Sequence, residues 1–95
     1  MLVTIELPRP LWNLADGRQT MQYEAETVGT ALRQLTEQYP ALRPHLEDEG
    51  GYLRETVEVT LDGADIEARL DLLTPLQDGA VIAIVPVIRG GKGRR

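Results

Sequence analysis

Residues 80–88, AVIAIVPVI, form a nine-residue run without a polar side chain. A strand that is apolar on both parities belongs in the middle of a sheet. Asp78-Gly79 turns the chain into this run, and Arg89, Gly90-Gly91 and the basic tetrapeptide 92–95 follow it. The run can anchor this end of the chain in a core, and the two glycines beyond it make a thin strip with no side chains. Such a strip can thread into another protein's active site and present a carboxylate there. For Gly91 to be that terminus, the bond between Gly91 and Lys92 must first be cut. Ile82 and Ile84 can face a helix, leaving Ala83 and Val85 on the opposite face as a docking patch beside Arg89. The reverse parity is equally open.

The rest of the pattern is short strands around one clear helix. Leu2 to Leu7 is a β-prone alternation with Leu2 or Val3, then Ile5 and Leu7, as core candidates. Pro8 and Pro10 end it, Asp16-Gly17 turns, and Thr20 to Ala25 alternates again, which predicts a hairpin across a loop of about a dozen residues. Thr27 is the N-cap of a helix from Val28 to Tyr39, with Val28, Ala31, Leu32, Leu35 and Tyr39 on one stripe. Pro40 stops it. Leu42 and Leu46 suggest one more helical turn before the polar stretch Glu47 to Gly51. Thr56 to Leu61 reads as a strand with Val57, Val59 and Leu61 on one face, followed by the turn Asp62-Gly63. Ile66 to Leu70 fits a short edge strand, and Leu72 to Leu76 a 3-10 or loop segment. One helical stripe and several half-apolar strands bury each other most simply as an α+β fold: a mixed four- to five-stranded sheet packed on one main helix. With the first and last strands side by side, this is a β-grasp.

Composition narrows the chemistry. Ninety-five residues suffice for one core, and the absence of cysteine excludes disulfides, thiolate metal sites and Cys nucleophiles. No stretch is long and apolar enough to span a bilayer, and no secretory leader pattern opens the chain, so a soluble cytoplasmic protein without a membrane partner is expected. A net charge of −5 argues against nucleic acid as a general partner. Losing Lys92, Arg94 and Arg95 takes the charge from −5 to −8, which suits a partner with a basic docking surface. Lys92 is also the only lysine, so the trimmed chain cannot form lysine-linked chains with itself.

The helix TVGTALRQLTEQYP, the strand and turn VEVTLDGADI, and the segment TPLQDGAVIAIVPVIRGG together resemble the ThiS/MoaD sulfur carriers, a ubiquitin-like β-grasp family, over nearly the whole chain. The stretch GYLRETVEV is most similar to the branch that carries sulfur for cysteine synthesis. The resemblance implies a domain over residues 1–91 and a cleaved extension over 92–95. It further implies that Gly91, with Gly90 beside it, is adenylated by a ubiquitin-activating-type enzyme using ATP and converted to a thiocarboxylate for a sulfur-accepting biosynthetic enzyme. The KGRR extension departs from relatives that end at the glycine pair, and is similar to those trimmed by a JAMM-type zinc metalloprotease. On this reading the protein is not an enzyme. It binds no metal or cofactor of its own, because its partners supply the catalytic groups.

Other readings attach to the same residues. A terminal Gly-Gly can be a frayed tail, and KGRR a solvated one. The same tail would serve a ubiquitin-like modifier joined to lysines of other proteins, while a non-covalent interaction module would not need it. His45 beside Pro44 lacks companions for catalysis. Glu47-Asp48-Glu49 lacks the spacing of a cation loop. Trp12 either caps the core or meets a partner.

Overall fold

The computed structural model describes residues 1–50, 53–66 and 73–86. Its strands are β1 (Leu2–Glu6), β2 (Thr20–Glu24), β3 (Val57–Leu61), β4 (Ala64–Ile66) and β5 (Val81–Pro86). They form one sheet in the order β2-β1-β5-β3-β4. The helix α1 (Val28–Gln38) lies between β2 and β3, and a 3-10 turn at Pro40–Leu42 leads into the short α2 (Arg43–Leu46). The central strand is therefore the all-apolar one. β5 runs parallel to β1, with Ile5 opposite Ile82, and antiparallel to β3, with Val59 opposite Ile84. First and last strands are neighbours, which makes the architecture a β-grasp.

Alternation decides which side chains enter the core. Val3, Ile5 and Leu7 are buried while Leu2 is exposed, so Val3 rather than Leu2 belongs to the inward set. Ile82 and Ile84 are buried, whereas Ala83 is half-buried and Val85 is 40% exposed. That resolves the parity of β5 with the isoleucines inward. On α1, Val28, Ala31, Leu32 and Leu35 are all buried, as is Tyr39 at its end. Thr27 Oγ1 accepts a hydrogen bond from Thr30 N at 3.2 Å, which caps the helix where the sequence predicts. A further free donor of this helix end, Val28 N, is taken by Thr74 O at 3.1 Å. Leu76 N donates to Glu26 O at 2.9 Å, so residues 74–76 are strapped to the start of the helix.

Turns follow their residues. Asp62 and Gly63 both have positive φ, 52° and 88°, the condition for a two-residue type I′ hairpin. That turn places Ala64 opposite Leu61, so β4 starts at Ala64 rather than at Ile66. Residues 67–70, the remainder of the expected edge strand, lie outside the described residues. Asp62 Oδ1 also accepts from Val81 N at 2.9 Å and Asp62 N donates to Val81 O at 2.8 Å, so the same turn grips the start of β5. Ala80 is drawn out of the strand into the Asp78-Gly79 turn, its N–H bonded to Gln77 O at 3.0 Å.

The loop between β1 and β2 is more ordered than a loop. Arg9–Ala15 forms a 3-10 helix with proline in its first turn, ended by Asp16 in the left-handed conformation at φ 57°. Trp12 Nε1 donates to Leu7 O at 2.8 Å while its ring packs against the core, so Trp12 is a cap that ties the helix back to β1. Arg9 lies over the ring with its guanidinium carbon 5.4 Å from the ring centroid.

Ile82 is fully buried at the centre of the sheet, so Ile82→Ala is expected to cost about 2–5 kcal/mol. The same truncation at exposed Val85 should cost far less; comparing their urea midpoints checks the parity. Tyr23 Oη donates to Gln38 Oε1 at 2.6 Å, and its phenol is pushed up to about 12, first by burial and then by Tyr39, with Arg18 opposing. A phenol that ionises later when folded stabilises the fold at pH values below its unfolded pKa of about 10 and loses that contribution as pH rises towards 12. Thermal melts between those pH values should therefore fall less steeply for Tyr23→Phe than for the parent chain.

Candidate functional site

Chemistry at a chain terminus needs a root that holds still and a tail that can leave. Pro86, at the end of β5, is the described residue nearest to Gly91 in sequence and serves as the root. It is the partner of Val57, the first residue of β3, while the pairing of β5 with β1 has already ended at Ala83 and Glu6. Proline also lacks the N–H that would continue a ladder. Among the described residues, the pairing of β5 ends at Pro86. Arg89, Gly90, Gly91 and Lys92, the residues expected to carry activation and cleavage, lie outside the described residues.

Around this root the sheet shows its helix-free face. Along β5 that face is Val81, Ala83 and Val85, a small apolar ridge. Glu6 and Thr60 lie opposite Ala83 on the two sides, Glu58 lies opposite Val85, and Asp65 lies opposite Thr60. Glu6, Glu58 and Asp65 are exposed. None of the five strands contains lysine or arginine. The expected docking residues Ala83 and Val85 thus come together on one accessible face, with carboxylates around them and no cation among the strand residues. A basic, partly apolar surface is its physical complement.

On the helix side of the same root is a cavity of about 190 Å³ lined by Pro8, Leu11, His45, Val57, Ile84 and Pro86, among others. Its walls come from the 3-10 helix, α2 and the adjoining ends of β3 and β5. Sequence reasoning missed this cavity because it missed the 3-10 helix. The signal was present in Leu11, Trp12, Leu14 and Ala15, whose spacing places them on one side of a tight helix, all packed against or within the core. His45 is exposed, and among the described residues it joins no group of three or more His, Cys, Asp or Glu side chains able to hold a metal. In the acidic stretch, Glu47 lies 3.8 Å from Arg43 Nε, and Asp48 Oδ1 accepts from Gly50 N at 2.9 Å. These carboxylates serve local structure. No described helix is long and apolar enough to cross a membrane.

A β-grasp with its final strand at the centre and a paired glycine five residues beyond is the architecture of ubiquitin-like carriers. The comparisons narrow it further: residues 5–91 match the ThiS family, and the chain belongs to that family. The sulfur carrier protein CysO of Mycobacterium tuberculosis is 26% identical over 93 residues, spanning 96% of this chain and all of the relative. The solution structure of small archaeal modifier protein 1 from Methanosarcina acetivorans superposes with a TM-score of 0.81 at 28% identity, covering 95% of this chain and 96% of the other. A chain of the Amycolatopsis orientalis BexX/CysO complex shares the fold with a TM-score of 0.78 at 22% identity, over 94% of this chain and 99% of its own.

Proposed function

We propose that this protein is a sulfur carrier whose working end is the Gly91 carboxylate. The observation that carries the reading is the extent of the family match, which runs through Gly91 and stops short of Lys92. Full-length similarity to a protein named as a sulfur carrier supports it. On this reading a JAMM-type zinc metalloprotease cuts between Gly91 and Lys92 and exposes the carboxylate. A ubiquitin-activating-type enzyme then uses ATP: a carboxylate oxygen attacks the α-phosphorus, pyrophosphate leaves, and an acyl adenylate forms. Hydrosulfide attacks the acyl carbon as the bond to the adenylate oxygen breaks, AMP leaves, a proton passes to solvent, and the thiocarboxylate that remains goes to a biosynthetic enzyme that consumes it. The carrier contributes position, and ATP is bound by the partner. These steps belong in the cytoplasm, where ATP is available.

The geometry supports such a division of labour. Residues 87–91 extended reach about 17 Å beyond Pro86, at roughly 3.3–3.6 Å per residue, enough to enter a recessed site while the domain remains outside. Glycine at 90 and 91 leaves the acyl carbon open to attack. The ridge Val81, Ala83 and Val85 is the face offered to the activating enzyme, with Arg89 entering the same contact. Trimming adds to the negative charge of that encounter.

A second reading has one observation in its favour. The M. acetivorans relative is named a modifier protein, and it matches this chain over almost its whole length. Conjugation to lysines of other proteins would use the same activated Gly91.

Trimmed protein incubated with its adenylating enzyme, ATP and a sulfide source should gain the mass difference between sulfur and oxygen. An unchanged mass despite pyrophosphate release would count against sulfur carriage. Lysine-linked adducts in cells that vanish on deletion of Gly91 would favour the modifier reading instead. Charge reversal on the exposed face, Glu6→Arg with Glu58→Arg, should leave the melting temperature nearly unchanged, each site costing within about 0.5 kcal/mol. It should slow adenylation at low salt, with the difference shrinking as salt screens the pair of surfaces.

A further inference from the structure

An activated glycine is a hazard to any amine it can reach, the carrier's own included. An amine nitrogen that attacks the Gly91 carbonyl carbon forms a C–N bond as the bond to the adenylate oxygen breaks. AMP leaves, a proton passes to solvent, and the product is a stable amide that carries no sulfur. We propose that the trimmed domain keeps every amine of its own beyond the reach of its activated terminus, so that the acyl group survives for a partner. The proposal rests on the reading that Gly91 is activated, and deepens it by asking what happens to the acyl group before transfer.

Two observations carry it. The first is chemical: Lys92 is the only lysine, so residues 1–91 contain no ε-amine, and all seven of their basic side chains are arginine. The guanidinium stays protonated at any physiological pH and is no nucleophile. The chain also has no cysteine to take the acyl group as a thioester. Trimming at Gly91 thus removes the sole lysine at the moment the carboxylate becomes available.

The second is geometric. The remaining amine is that of Met1, and the parallel pairing of β1 with β5 fixes where it lies. Thr4 is abreast of Val81, Leu2 N donates to Asp78 Oδ1 at 2.8 Å, and Gly79 N donates to Leu2 O at 2.8 Å. Met1 therefore sits beside the turn that begins β5, while Pro86, which Gly91 follows by five residues, is at the other end of that strand. The three steps from Met1 to Thr4 along β1 and the five from Val81 to Pro86 along β5, at about 3.3 Å each, put roughly 25 Å between them. The tail, at about 17 Å fully extended, falls short. The Met1 ammonium is moreover engaged by Glu24 Oε1 at 3.1 Å. His45 is the one nitrogen nucleophile near the root, lining the cavity with Pro86. Acyl capture by an imidazole gives an intermediate that water hydrolyses, so it leaves no lasting adduct.

The test needs no partner enzyme, so its outcome is separable from that of the sulfur-carrier reading. Residues 1–91, which retain every described element, are prepared as a Gly91 thioester by intein thiolysis and held at micromolar concentration in mildly alkaline buffer. The parent should show thioester and hydrolysed acid only. Arg9 lies between Pro8 and Pro10, which line the cavity with Pro86, and Arg54 O accepts from the N–H of Val57, the partner of Pro86, so Arg9→Lys and Arg54→Lys should each give a looped product whose mass is that of the thioester less its thiol. A tethered amine at an effective concentration near millimolar should yield at least about tenfold more loop than the parent. Gln77→Lys, exposed at the Met1 end, should behave like the parent. Circular dichroism shows that each variant is folded. Looping in the parent or in Gln77→Lys, or its absence from both folded root variants, overturns the proposal.

Discussion

The parallel pairing of β1 with β5 is the contact on which the remainder of the molecule depends. It joins residues about 80 positions apart in sequence, Thr4 with Val81 through Glu6 with Ala83. Closing so long a loop is entropically unfavourable, and the cost is offset by burial of Ile5 and Ile82, both inaccessible to solvent, under α1. The antiparallel pairing with β3 then completes the bonding of β5 on its other edge. A strand bonded on both edges and covered on one face by a helix is a rigid mount. What hangs from it can be slender without being poorly placed.

Direction matters as much as rigidity. Because β1 and β5 are parallel, Met1 and Pro86 lie at opposite ends of the sheet. The same fact that seats Met1 beside the Asp78-Gly79 turn sends Pro86 towards the 3-10 helix and α2. The two faces of β5 divide the remaining work. Ile82 and Ile84 hold the core, and Val81, Ala83 and Val85 form the ridge exposed among carboxylates. Alternate residues of one strand thus face the core and the solvent.

Much of this was legible in the residues because local physics and tertiary context agree. The α1 stripe, its Thr27 cap and its proline stop all act within one helix, and the structure places them as expected. Asp62-Gly63 and Asp78-Gly79 turn where such pairs turn. The misses arose where packing partners had to be known. Leu2 and Val3 are equally apolar, and only the sheet decides that Val3 is inward. The segment between β1 and β2 has the turn residues of a loop, yet becomes a 3-10 helix because Trp12 finds both a core to cover and the Leu7 carbonyl to bond. The short edge strand starts two residues earlier than expected because hairpin register is set by a two-residue turn, not by the first apolar side chain after it.

What the chain by itself determined is its repertoire: one amphipathic helix, a doubly apolar last strand, a glycine pair beyond it, and a body through Gly91 without lysine or cysteine. These are covalent facts, independent of shape. Only the tertiary structure decided which face of β5 looks outward, which acids surround it, and how far Met1 lies from Pro86. Those depend on strand order and on parallel or antiparallel pairing. Both are set by burial summed over the whole sheet rather than by any segment's own preference.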